Sequence, residues 1–271
     1  MDLAHIFLRY FFETEYLHFG YWDKREPKFS NLKGAQELYA DNLQKMIPSG
    51  VRTILEVGCG SGEMAKKLLA ADYQVDVVSP PSIMTSLAQE KLDGKVGFNE
   101  CLFEDFESDK RYDLVLFSES FQFVKLDTAI RKASQYGKYV LIADVFKKDV
   151  AEKSPIGGGH SYADFTRLVK ENKVQVVTDQ DVTPFIAPQF DLEADVMQGF
   201  VKPFVSVLER MYKTSGFVMR SLVKIFLFFN KKGLQKLRQK HFENSGRRNG
   251  KAFEQYKYYR FILLESAGRP N

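Results

Sequence analysis

Three alternating glycines directly follow a short apolar segment. The segment Ile54–Val57 reads as a strand, the glycines are Gly58, Gly60 and Gly62, and a helical pattern begins at Glu63. A strand that turns at once into a helix presents free backbone N–H groups and the positive end of the helix dipole at one point. Glycines are required there because a Cβ atom would block both the tight turn and the close approach of a ligand. The segment therefore predicts a site for a nucleotide-type ligand.

The spacing of these glycines excludes two common nucleotide-binding turns. A dinucleotide fingerprint requires the spacing G-x-G-x-x-G, but the position three residues after Gly60 is Glu63. A P-loop requires Lys followed by Ser or Thr, and no such pair follows Gly62. A glycine-rich turn in another class of α/β protein stays open as the alternative at this point.

The acid before the first glycine completes the pattern Glu56-x-Gly58-x-Gly60-x-Gly62. This pattern resembles the first motif of the class I S-adenosylmethionine-dependent methyltransferases. The resemblance implies that the glycine turn, with Gly58, Cys59, Gly60 and Gly62, passes under the methionine part of S-adenosyl-L-methionine. It also implies that Glu56 helps to orient the amino group of this cofactor.

The second predicted strand ends at Ser79, where the resemblance implies a contact with the cofactor ribose. Most family members carry an acid there, because a carboxylate accepts hydrogen bonds from both ribose hydroxyls. Ser79 supplies only a hydroxyl, and Asp76 lies earlier within the strand. Met84 falls where the family often packs a side chain against adenine, with ordinary core packing as the alternative.

The adenine-binding turn of the family falls on residues 101–106. The resemblance implies that a backbone N–H at Phe103 or Glu104 reaches the adenine ring, and that Phe103 stacks on it. Leu102 replaces the usual first acid of this turn, and a strand-to-helix turn with acids as N-caps is the alternative reading. Ser118, at the end of the fourth predicted strand, is a further predicted cofactor contact.

Residues 18–22, His-Phe-Gly-Tyr-Trp, resemble an H-x-G-Y-W cluster that precedes the first motif in methyltransferases acting on lipids, sterols, tocopherols and small natural products. In these relatives the aromatic segment folds over the cofactor, and the tyrosine hydroxyl reaches the cofactor carboxylate. Tyr21 matches that role by position. The alternative is a packing role, in which the rings fix the N-terminal segment onto the sheet.

Methyl transfer from a sulfonium chiefly requires that donor and acceptor are held close and aligned. A base is needed only when the acceptor must lose a proton. His160 follows three glycines after the fifth strand and is our first candidate base, because an imidazole titrates near neutral pH. His18 is the second candidate, and Glu119 is predicted to act as a base or to stabilise a cation. The alternatives are a capping or loop histidine and a solvent-exposed loop acid.

The elements that position these residues alternate between strand and helix, which predicts an α/β fold with a parallel sheet and helices on both faces. The predicted strands are 52–57, 74–78, 96–100, 112–117, 139–144, 174–177 and 258–264, and the helices between them are 62–71, 82–92, 126–135 and 162–171. The resemblance, which covers residues 15–183, implies a doubly wound, Rossmann-like sheet of seven mostly parallel strands. It also implies that the last strand is antiparallel and inserted beside strand five.

The predicted domain organisation is a cofactor-binding core with helical additions. Residues 1–50 form an N-terminal cap segment, residues 51–183 the core, residues 184–252 a helical lid, and residues 253–271 the last core strand. The cap contains predicted helices over 2–16 and after an N-cap at Ser30, and the lid contains helices near 193–214, 216–229 and 231–243. Long insertions of this kind often form lids.

The bulk composition is that of a globular chain without disulfide bonds. The 271 residues include two cysteines and carry a net charge of +4, and the four histidines show no metal-ligand spacing. No secretory signal and no transmembrane segment is apparent, so a cytoplasmic location is predicted. Residues 191–271 contain 16 basic and 7 acidic side chains, which indicates an anionic partner, a membrane surface or a solvated helix face.

The acceptor is predicted to be a small, lipophilic molecule such as a natural product, an isoprenoid or a lipid, methylated on O, N or C. The strongly apolar segment 217–229 supports this prediction as a lid or core element, and a peripheral membrane contact is its alternative. Aminopropyl transfer, nucleic-acid methylation and a non-catalytic cofactor-binding scaffold are the competing functions. Base methylases often carry an N-P-P-Y-like motif where residues 118–121 read Ser-Glu-Ser-Phe, which disfavours a nucleic-acid substrate.

Overall fold

The computed structural model describes residues 14–214, 216 and 247–266. A twisted sheet forms its centre, with the strand order β3-β2-β1-β4-β5-β8-β7 and a short strand β6 paired with β5. The strands are β1 (Thr53–Val57), β2 (Gln74–Ser79), β3 (Gly97–Glu100), β4 (Tyr112–Ser118), β5 (Gly137–Lys147), β6 (His160–Ser161), β7 (Gln175–Asp181) and β8 (Lys257–Glu265). Strands β1 to β5 pair in parallel, and β8 runs antiparallel between β5 and β7.

Helices cover both faces of this sheet. They are α1 (Leu32–Lys45), α2 (Glu63–Ala70), α3 (Ile83–Leu92), α4 (Leu126–Tyr136), α5 (Tyr162–Glu171), α6 (Thr183–Ile186), α7 (Pro188–Val196), α8 (Lys202–Thr214) and α9 (Gly250–Tyr256), with a π-helical segment over Met197–Val201. Within the described ranges, none of these helices is both long and apolar enough to cross a bilayer.

The core has two layers because successive side chains of a strand point to opposite faces of the sheet. In β1, Ile54 packs into the layer that contains α1 and α2, whereas Leu55 packs into the layer that contains α4 and α5. Both side chains are fully buried. A strand covered on both faces is mostly apolar, which explains the apolar residues of β1 and β4 and sets the buried acid Glu56 of β1 apart.

The order of the strands places a crevice at the carboxyl ends of β1 and β4. The chain leaves β1 toward β2 on one side, and β4 pairs with β1 on the other side. Ligands of open α/β sheets bind at such a switch point. The glycine turn after Val57 and the residues after Ser118 both lie at this edge.

The predicted fold class is confirmed, and so is the antiparallel last strand beside β5. Several boundaries differ from the prediction. β5 continues to Lys147, because its last residues pair with β8 and β6. β7 runs from Gln175 to Asp181 rather than over 174–177, because its ladder with β8 continues to Asp181.

Two predictions for the N-terminal segment were wrong in detail. Ser30 is not an N-cap, because it lies within a 3₁₀ turn, Phe29–Asn31, and Asn31 stands at the position before α1. The predicted helix over 2–16 does not extend through residues 14–16, which are not helical. Residues 1–13, the apolar segment 217–229 and the predicted helix 231–243 lie outside the described residues.

The chain on either side of the undescribed segment packs together on the core. Phe190 of α7 stacks on Phe253 of α9 with ring centroids 4.3 Å apart. The backbone N–H of Gly250 donates to Asp191 Oδ1 at 2.8 Å. The division of the chain into core, cap and lid stays a prediction.

Candidate cofactor site

The glycine turn after β1 closes tightly against the loop after β4. Gly58 has φ +77°, and a Cβ atom placed on it would lie 2.7 Å from the Cβ of Ser120. The Ser120 hydroxyl donates a hydrogen bond to the carbonyl of Val57, and the N–H of Gly58 donates to the carbonyl of Val78 at 2.8 Å. The position therefore requires glycine on grounds of both backbone conformation and space.

The other two glycines of the motif have different roles. A Cβ on Gly60, at φ +52°, would lie 3.4 Å from Leu17 Cδ1, so the N-terminal segment lies over this turn. A Cβ on Gly62, at φ +80°, would lie 3.2 Å from the Cβ of Ala88 in α3. Gly60 lines the site described next, whereas Gly62 does not. Gly62 thus permits the close contact between α2 and α3, which favours a packing role for this glycine.

Two adjoining cavities lie at the carboxyl ends of β1, β2 and β4. The larger cavity has a volume of about 440 Å³, and the predicted site residues that line it are His18, Gly58, Gly60, Ser79, Phe103, Glu104, Ser118 and Glu119. The smaller cavity has a volume of about 40 Å³, and the predicted residues that line it are His18, Glu56, Gly58, Cys59, Gly60 and Ser118. The fold thus brings together residues that the sequence places up to 101 positions apart.

Three buried polar atoms of the smaller cavity lack a hydrogen-bond partner among the described residues. They are His18 Nε2, Glu56 Oε2 and Ser118 Oγ. Buried polar atoms in folded proteins are almost always paired, so unpaired atoms that converge on one cavity indicate a polar ligand. Burial raises the pKa of Glu56 to about 8. A cationic group placed beside Glu56 would satisfy its free oxygen and favour its charged form.

His18 offers this cavity a hydrogen-bond acceptor. Its Nδ1 lies 2.8 Å from the carbonyl oxygen of Phe19, which assigns the ring proton to Nδ1 and leaves a lone pair on Nε2. The imidazole stacks on Tyr39 with a centroid distance of 4.2 Å. Burial lowers the pKa of His18 to about 4, so the ring is neutral near pH 7. A neutral imidazole here accepts a hydrogen bond from a ligand.

Residues 14–22 form a strap that crosses the glycine turn. Gln36 Nε2 donates to the carbonyls of His18 at 2.6 Å and of Tyr16 at 3.1 Å. Farther along the strap, Trp22 Nε1 donates to Gln189 Oε1 at 3.0 Å. These long-range bonds fix the strap to α1 and α7, so that Leu17 and His18 cover the cavities.

Tyr21 of the strap lies apart from both cavities. Its ring stacks on Phe185 with centroids 4.6 Å apart and planes inclined by 13°. It is not among the residues that line either cavity. This placement favours the packing role over the contact with a cofactor carboxylate that the resemblance implies.

The part of the larger cavity that lies beside Ser79 contains few polar side chains. Ser79 is buried, and its hydroxyl lies 3.3 Å from Thr85 Oγ1. Asp76 faces elsewhere, because its Oδ2 accepts hydrogen bonds from Lys110 Nζ at 2.6 Å and from the Tyr112 hydroxyl at 2.7 Å. Asp76 therefore does not substitute for an acid at the position of Ser79.

Apolar side chains form the mouth of the same cavity. Leu102 and Phe123 line it and have exposed fractions of 51% and 80%. The buried ring of Phe103 lies beside them, and Glu104 Oε1 accepts a hydrogen bond from the Lys125 N–H at 3.1 Å. Met84 is half-buried and does not line either cavity. A ligand that binds at this end is therefore held mainly by shape and apolar contact.

Glu119 lies at the junction of the larger cavity with the core. It adopts φ +57°, which is uncommon for a residue with a side chain. Its Oε1 accepts hydrogen bonds from the Phe19 N–H at 2.7 Å and from the Tyr259 hydroxyl at 2.8 Å. The Tyr259 hydroxyl is also 2.8 Å from the Tyr39 hydroxyl. Burial raises the pKa of Glu119 to about 8, although both donated hydrogen bonds oppose that rise.

His160 does not face either cavity. Its Nε2 lies 2.9 Å from the carbonyl oxygen of Val124 and 3.2 Å from that of Phe121. The ring therefore fastens the turn after β4, and this nitrogen carries a proton that it donates. His160 is absent from the lining of the cavities. The geometry thus favours a structural role over the predicted role as a base.

Sequence reasoning missed several residues that shape the site. Leu17, Ser120 and Gln122 line the larger cavity. Asp144, inside the buried part of β5, holds Gln122 by accepting its side-chain N–H at 3.1 Å and its backbone N–H at 3.0 Å. Burial raises the pKa of Asp144 to about 7. An acid inside an apolar strand was the available signal.

The described part of the chain contains no group of three His, Cys, Asp or Glu side chains arranged to hold a metal ion. The two cavities combine a buried acid, Glu56, and a half-buried acid, Glu119, with apolar walls formed by residues such as Leu102 and Phe123.

Comparison with known proteins agrees with this geometry. A family model described as a methyltransferase domain matches residues 54–138. An uncharacterised methyltransferase of Bacillus mycoides is 30% identical over 115 residues, which are 40% of this chain and 54% of the relative. An uncharacterised methyltransferase of Anoxybacillus flavithermus is 25% identical over 198 residues, 70% of this chain and 84% of the relative. The chain spans about half the length of the first of these relatives.

A solved structure shares the fold over nearly the whole chain. Geranyl diphosphate C-methyltransferase from Streptomyces coelicolor, in complex with Mg²⁺, geranyl-S-thiolodiphosphate and S-adenosyl-L-homocysteine, superimposes with a TM-score of 0.67. The match covers 98% of this chain and 94% of that protein, at 13% sequence identity. At this identity the similarity establishes the fold alone.

Proposed function

Because the chain belongs to the class I S-adenosylmethionine-dependent methyltransferases, we propose that it methylates a small, lipophilic acceptor held beside Glu119. The observation that carries the proposal is the convergence of three unpartnered buried atoms, from His18, Glu56 and Ser118, on the small cavity under the glycine turn. They match the cofactor's polar methionine end, and the adjoining 440 Å³ cavity has room for its nucleoside.

The residues that would hold the cofactor divide into two groups. Glu56, Ser118 and the neutral ring of His18 take the amino-acid end, where a cationic ammonium pairs with the carboxylate. Ser79 and the backbone at Phe103 take the nucleoside end. When bound, S-adenosyl-L-methionine would supply a methyl group activated by its sulfonium, and in-line attack of the acceptor atom on this methyl carbon would break the methyl–sulfur bond and release S-adenosyl-L-homocysteine.

Glu119 is the group that would handle a proton of the acceptor. Within the described residues, both protein hydrogen bonds to its side chain go to Oε1, so Oε2 is the atom that takes a proton. A pKa of about 8 is close to the operating pH, which suits a general base. Tyr259 holds the carboxylate in place and is a positioning residue.

The walls of the larger cavity support a lipophilic acceptor. Leu17, Leu102 and Phe123 line its mouth with exposed fractions of 44%, 51% and 80%. Single exposed apolar residues are ordinary, but several at the rim of one cavity mark a binding surface. An apolar mouth of this kind favours a lipophilic acceptor over a nucleic acid, whose binding depends mainly on contacts to its phosphates.

Methylation of an alkene carbon is a second candidate. The aromatic side chains of Phe103 and Phe123 line the same cavity as Glu119. Methylation of an alkene leaves a carbocation, which aromatic faces stabilise. Glu119 would then accept the proton whose loss from this cation restores the double bond. The fold neighbour is named as a C-methyltransferase of an isoprenoid diphosphate, which agrees with this candidate.

The test begins with the cofactor and then adds acceptors. Calorimetric titration with S-adenosyl-L-homocysteine is expected to give saturable binding that Glu56→Gln weakens and that Glu90→Gln, an exposed control on α3, leaves unchanged. Tritiated S-adenosyl-L-methionine is then incubated with sets of phenols, fatty acids and isoprenoids, followed by organic extraction. Binding without methyl transfer to any set would favour the non-catalytic scaffold and overturn the proposed activity.

The role of Glu119 has its own test once an acceptor is known. Glu119→Gln keeps an oxygen that accepts the hydrogen bonds but cannot take a proton. Turnover should therefore fall by about 100-fold, whereas binding of S-adenosyl-L-homocysteine should be retained. Tyr259→Phe removes a donated hydrogen bond that lowers the pKa of Glu119, so the rate profile should move to higher pH. An unchanged profile in Tyr259→Phe together with unchanged turnover in Glu119→Gln would remove Glu119 from the mechanism.

A further inference from the structure

A separate cavity of about 660 Å³ lies between the loop that follows β5 and the chain that enters α9. It shares no residue with the cofactor cavities. Its polar lining includes Lys153, Arg247, Lys251, Asn249, Gln255 and Tyr256. The proposed methyl transfer does not use this cavity.

The cavity carries a cluster of positive charges. Lys153, Arg247 and Lys251 are exposed, and none of them forms an ion pair or hydrogen bond within the described part of the chain. Among the described residues, no carboxylate lines the cavity. Glu152 lies close by, and its Oε2 accepts a hydrogen bond from the Tyr256 hydroxyl at 2.7 Å.

The surroundings add further positive charge. Lys257 is 1% exposed, and its Nζ donates to the carbonyl of Gly158 at 2.7 Å. Burial lowers the pKa of Lys257 to about 8, and the charge of Lys147 adds to this effect. No ion pair to Lys257 occurs among the described residues. Lys257 directly follows Tyr256 of the cavity lining and therefore adds a further cation near the cavity.

The cavity lies at the same edge of the sheet as the cofactor site. β5 ends at Lys147, which pairs with Lys257 at the start of β8, so the parallel strands' carboxyl ends and the entry into β8 share this edge. The loop between Lys153 and Gly159 borders the cavity, and the N–H of Gly159 donates to Gln122 Oε1 at 3.1 Å. Gln122 lines the cofactor cavity. A single loop thus connects the two sites.

We propose that this cavity binds the phosphate or diphosphate group of a small molecule, with Lys153, Arg247 and Lys251 as its charged contacts. Guanidinium and ammonium groups from two separate segments suit a polyanion with several oxygens. A volume of about 660 Å³ exceeds what a phosphate alone fills, so the group belongs to a larger molecule or to a hydrated diphosphate. The proposal does not depend on the proposed methyl transfer.

The test measures binding of inorganic pyrophosphate to the full chain by calorimetry and ³¹P NMR, at two salt concentrations. We expect saturable, salt-sensitive binding that each of Lys153→Gln, Arg247→Gln and Lys251→Gln weakens by about tenfold. Lys170→Gln, an exposed site on α5, is the matched control and should leave pyrophosphate binding unchanged. Titration with S-adenosyl-L-homocysteine reports in each variant that the fold and the cofactor site are intact.

Two further arms identify the kind of ligand. Dodecyl diphosphate that binds more tightly than pyrophosphate would assign the site to an amphipathic phosphorylated molecule, and equal affinity would assign it to the free anion. Either result supports the site if the three substitutions weaken the binding of the probe. The proposal is overturned if pyrophosphate does not bind at millimolar concentration, or binds equally to the triple variant. Binding only to anionic vesicles or to a single-stranded oligonucleotide would also overturn it.

Discussion

Glu56 is a buried acid whose proton must leave when a cationic ligand binds beside it. Its Oε2 has no hydrogen-bond partner within residues 14–214 and 247–266, and burial raises its pKa to about 8. With that pKa, about 0.9 of the side chains are protonated at pH 7 in the free protein. An ammonium group at this oxygen favours the carboxylate form. Binding of S-adenosyl-L-homocysteine at pH 7 should therefore release about 0.9 proton from Glu56.

The same linkage sets how affinity depends on pH. Only the carboxylate form pairs with the ammonium, and its fraction rises from about 0.01 at pH 6 to about 0.5 at pH 8. The affinity for S-adenosyl-L-homocysteine should accordingly rise about 50-fold between these pH values and level off above pH 8. Glu119 also has a raised pKa, so the Glu119→Gln variant is the background in which the contribution of Glu56 is isolated.

Calorimetry in buffers with different ionisation enthalpies measures the released protons directly. In Glu119→Gln, the observed binding enthalpy should change from phosphate to Tris buffer in proportion to about 0.9 proton at pH 7. In Glu56→Gln/Glu119→Gln the dependence on buffer should vanish, and the affinity should be low at every pH. A binding enthalpy that is identical in both buffers, with an affinity that is flat from pH 6 to 8, would refute the assignment of Glu56 to the ammonium group.

Three further predictions concern catalysis, the glycine turn and stability. The rate of methyl transfer should rise with pH to a plateau above an apparent pKa of about 8, because Glu119 must be deprotonated to act as a base. A stopped assay across pH 6–10 measures this profile, and a rate that does not change with pH would exclude Glu119 as the base. Gly58→Ala should destabilise the protein more than Gly50→Ala, because both positions have positive φ but only Gly58 would place a Cβ 2.7 Å from another side chain. Thermal unfolding should show that the free energy of unfolding falls by about 1 kcal/mol in Gly50→Ala and by several kcal/mol in Gly58→Ala. Equal losses in the two variants would contradict the close contact at Gly58. Without cofactor, the free energy of unfolding should fall as pH rises from 5 to 9. Burial raises the pKa values of Glu56, Glu119 and Asp144 to about 8, 8 and 7, so the folded state binds more protons than the unfolded state over this range. A melting temperature that rises from pH 5 to pH 9 would contradict those shifts.

The glycine turn and its acid could be predicted from the sequence because their chemistry is local. Glu56, Gly58 and Gly60 need only a strand, a tight turn and a helix, and a pattern of nine residues contains all three. The cavity lining at Ser79, Phe103 and Ser118 follows from the same logic, since the carboxyl ends of parallel strands meet at one edge of a sheet.

The roles of Tyr21 and His160 could not be predicted in this way, because each depends on a partner distant in sequence. Tyr21 stacks on Phe185, which is 164 positions away. His160 donates to carbonyl groups of a turn that no sequence pattern places beside it. For the same reason the hydrogen bond from Tyr259 to Glu119 has no sequence signal, although it sets the environment of the candidate base.

The central claim is that the two adjoining cavities hold the methyl donor with its amino-acid end under the glycine turn. A crystal structure of the protein with S-adenosyl-L-homocysteine tests it most directly. We expect the amino group to lie within hydrogen-bonding distance of Glu56, and the nucleoside to lie beside Ser79 and the backbone of Phe103. A ligand found with its adenine beside Glu56, or bound outside these cavities, would contradict it.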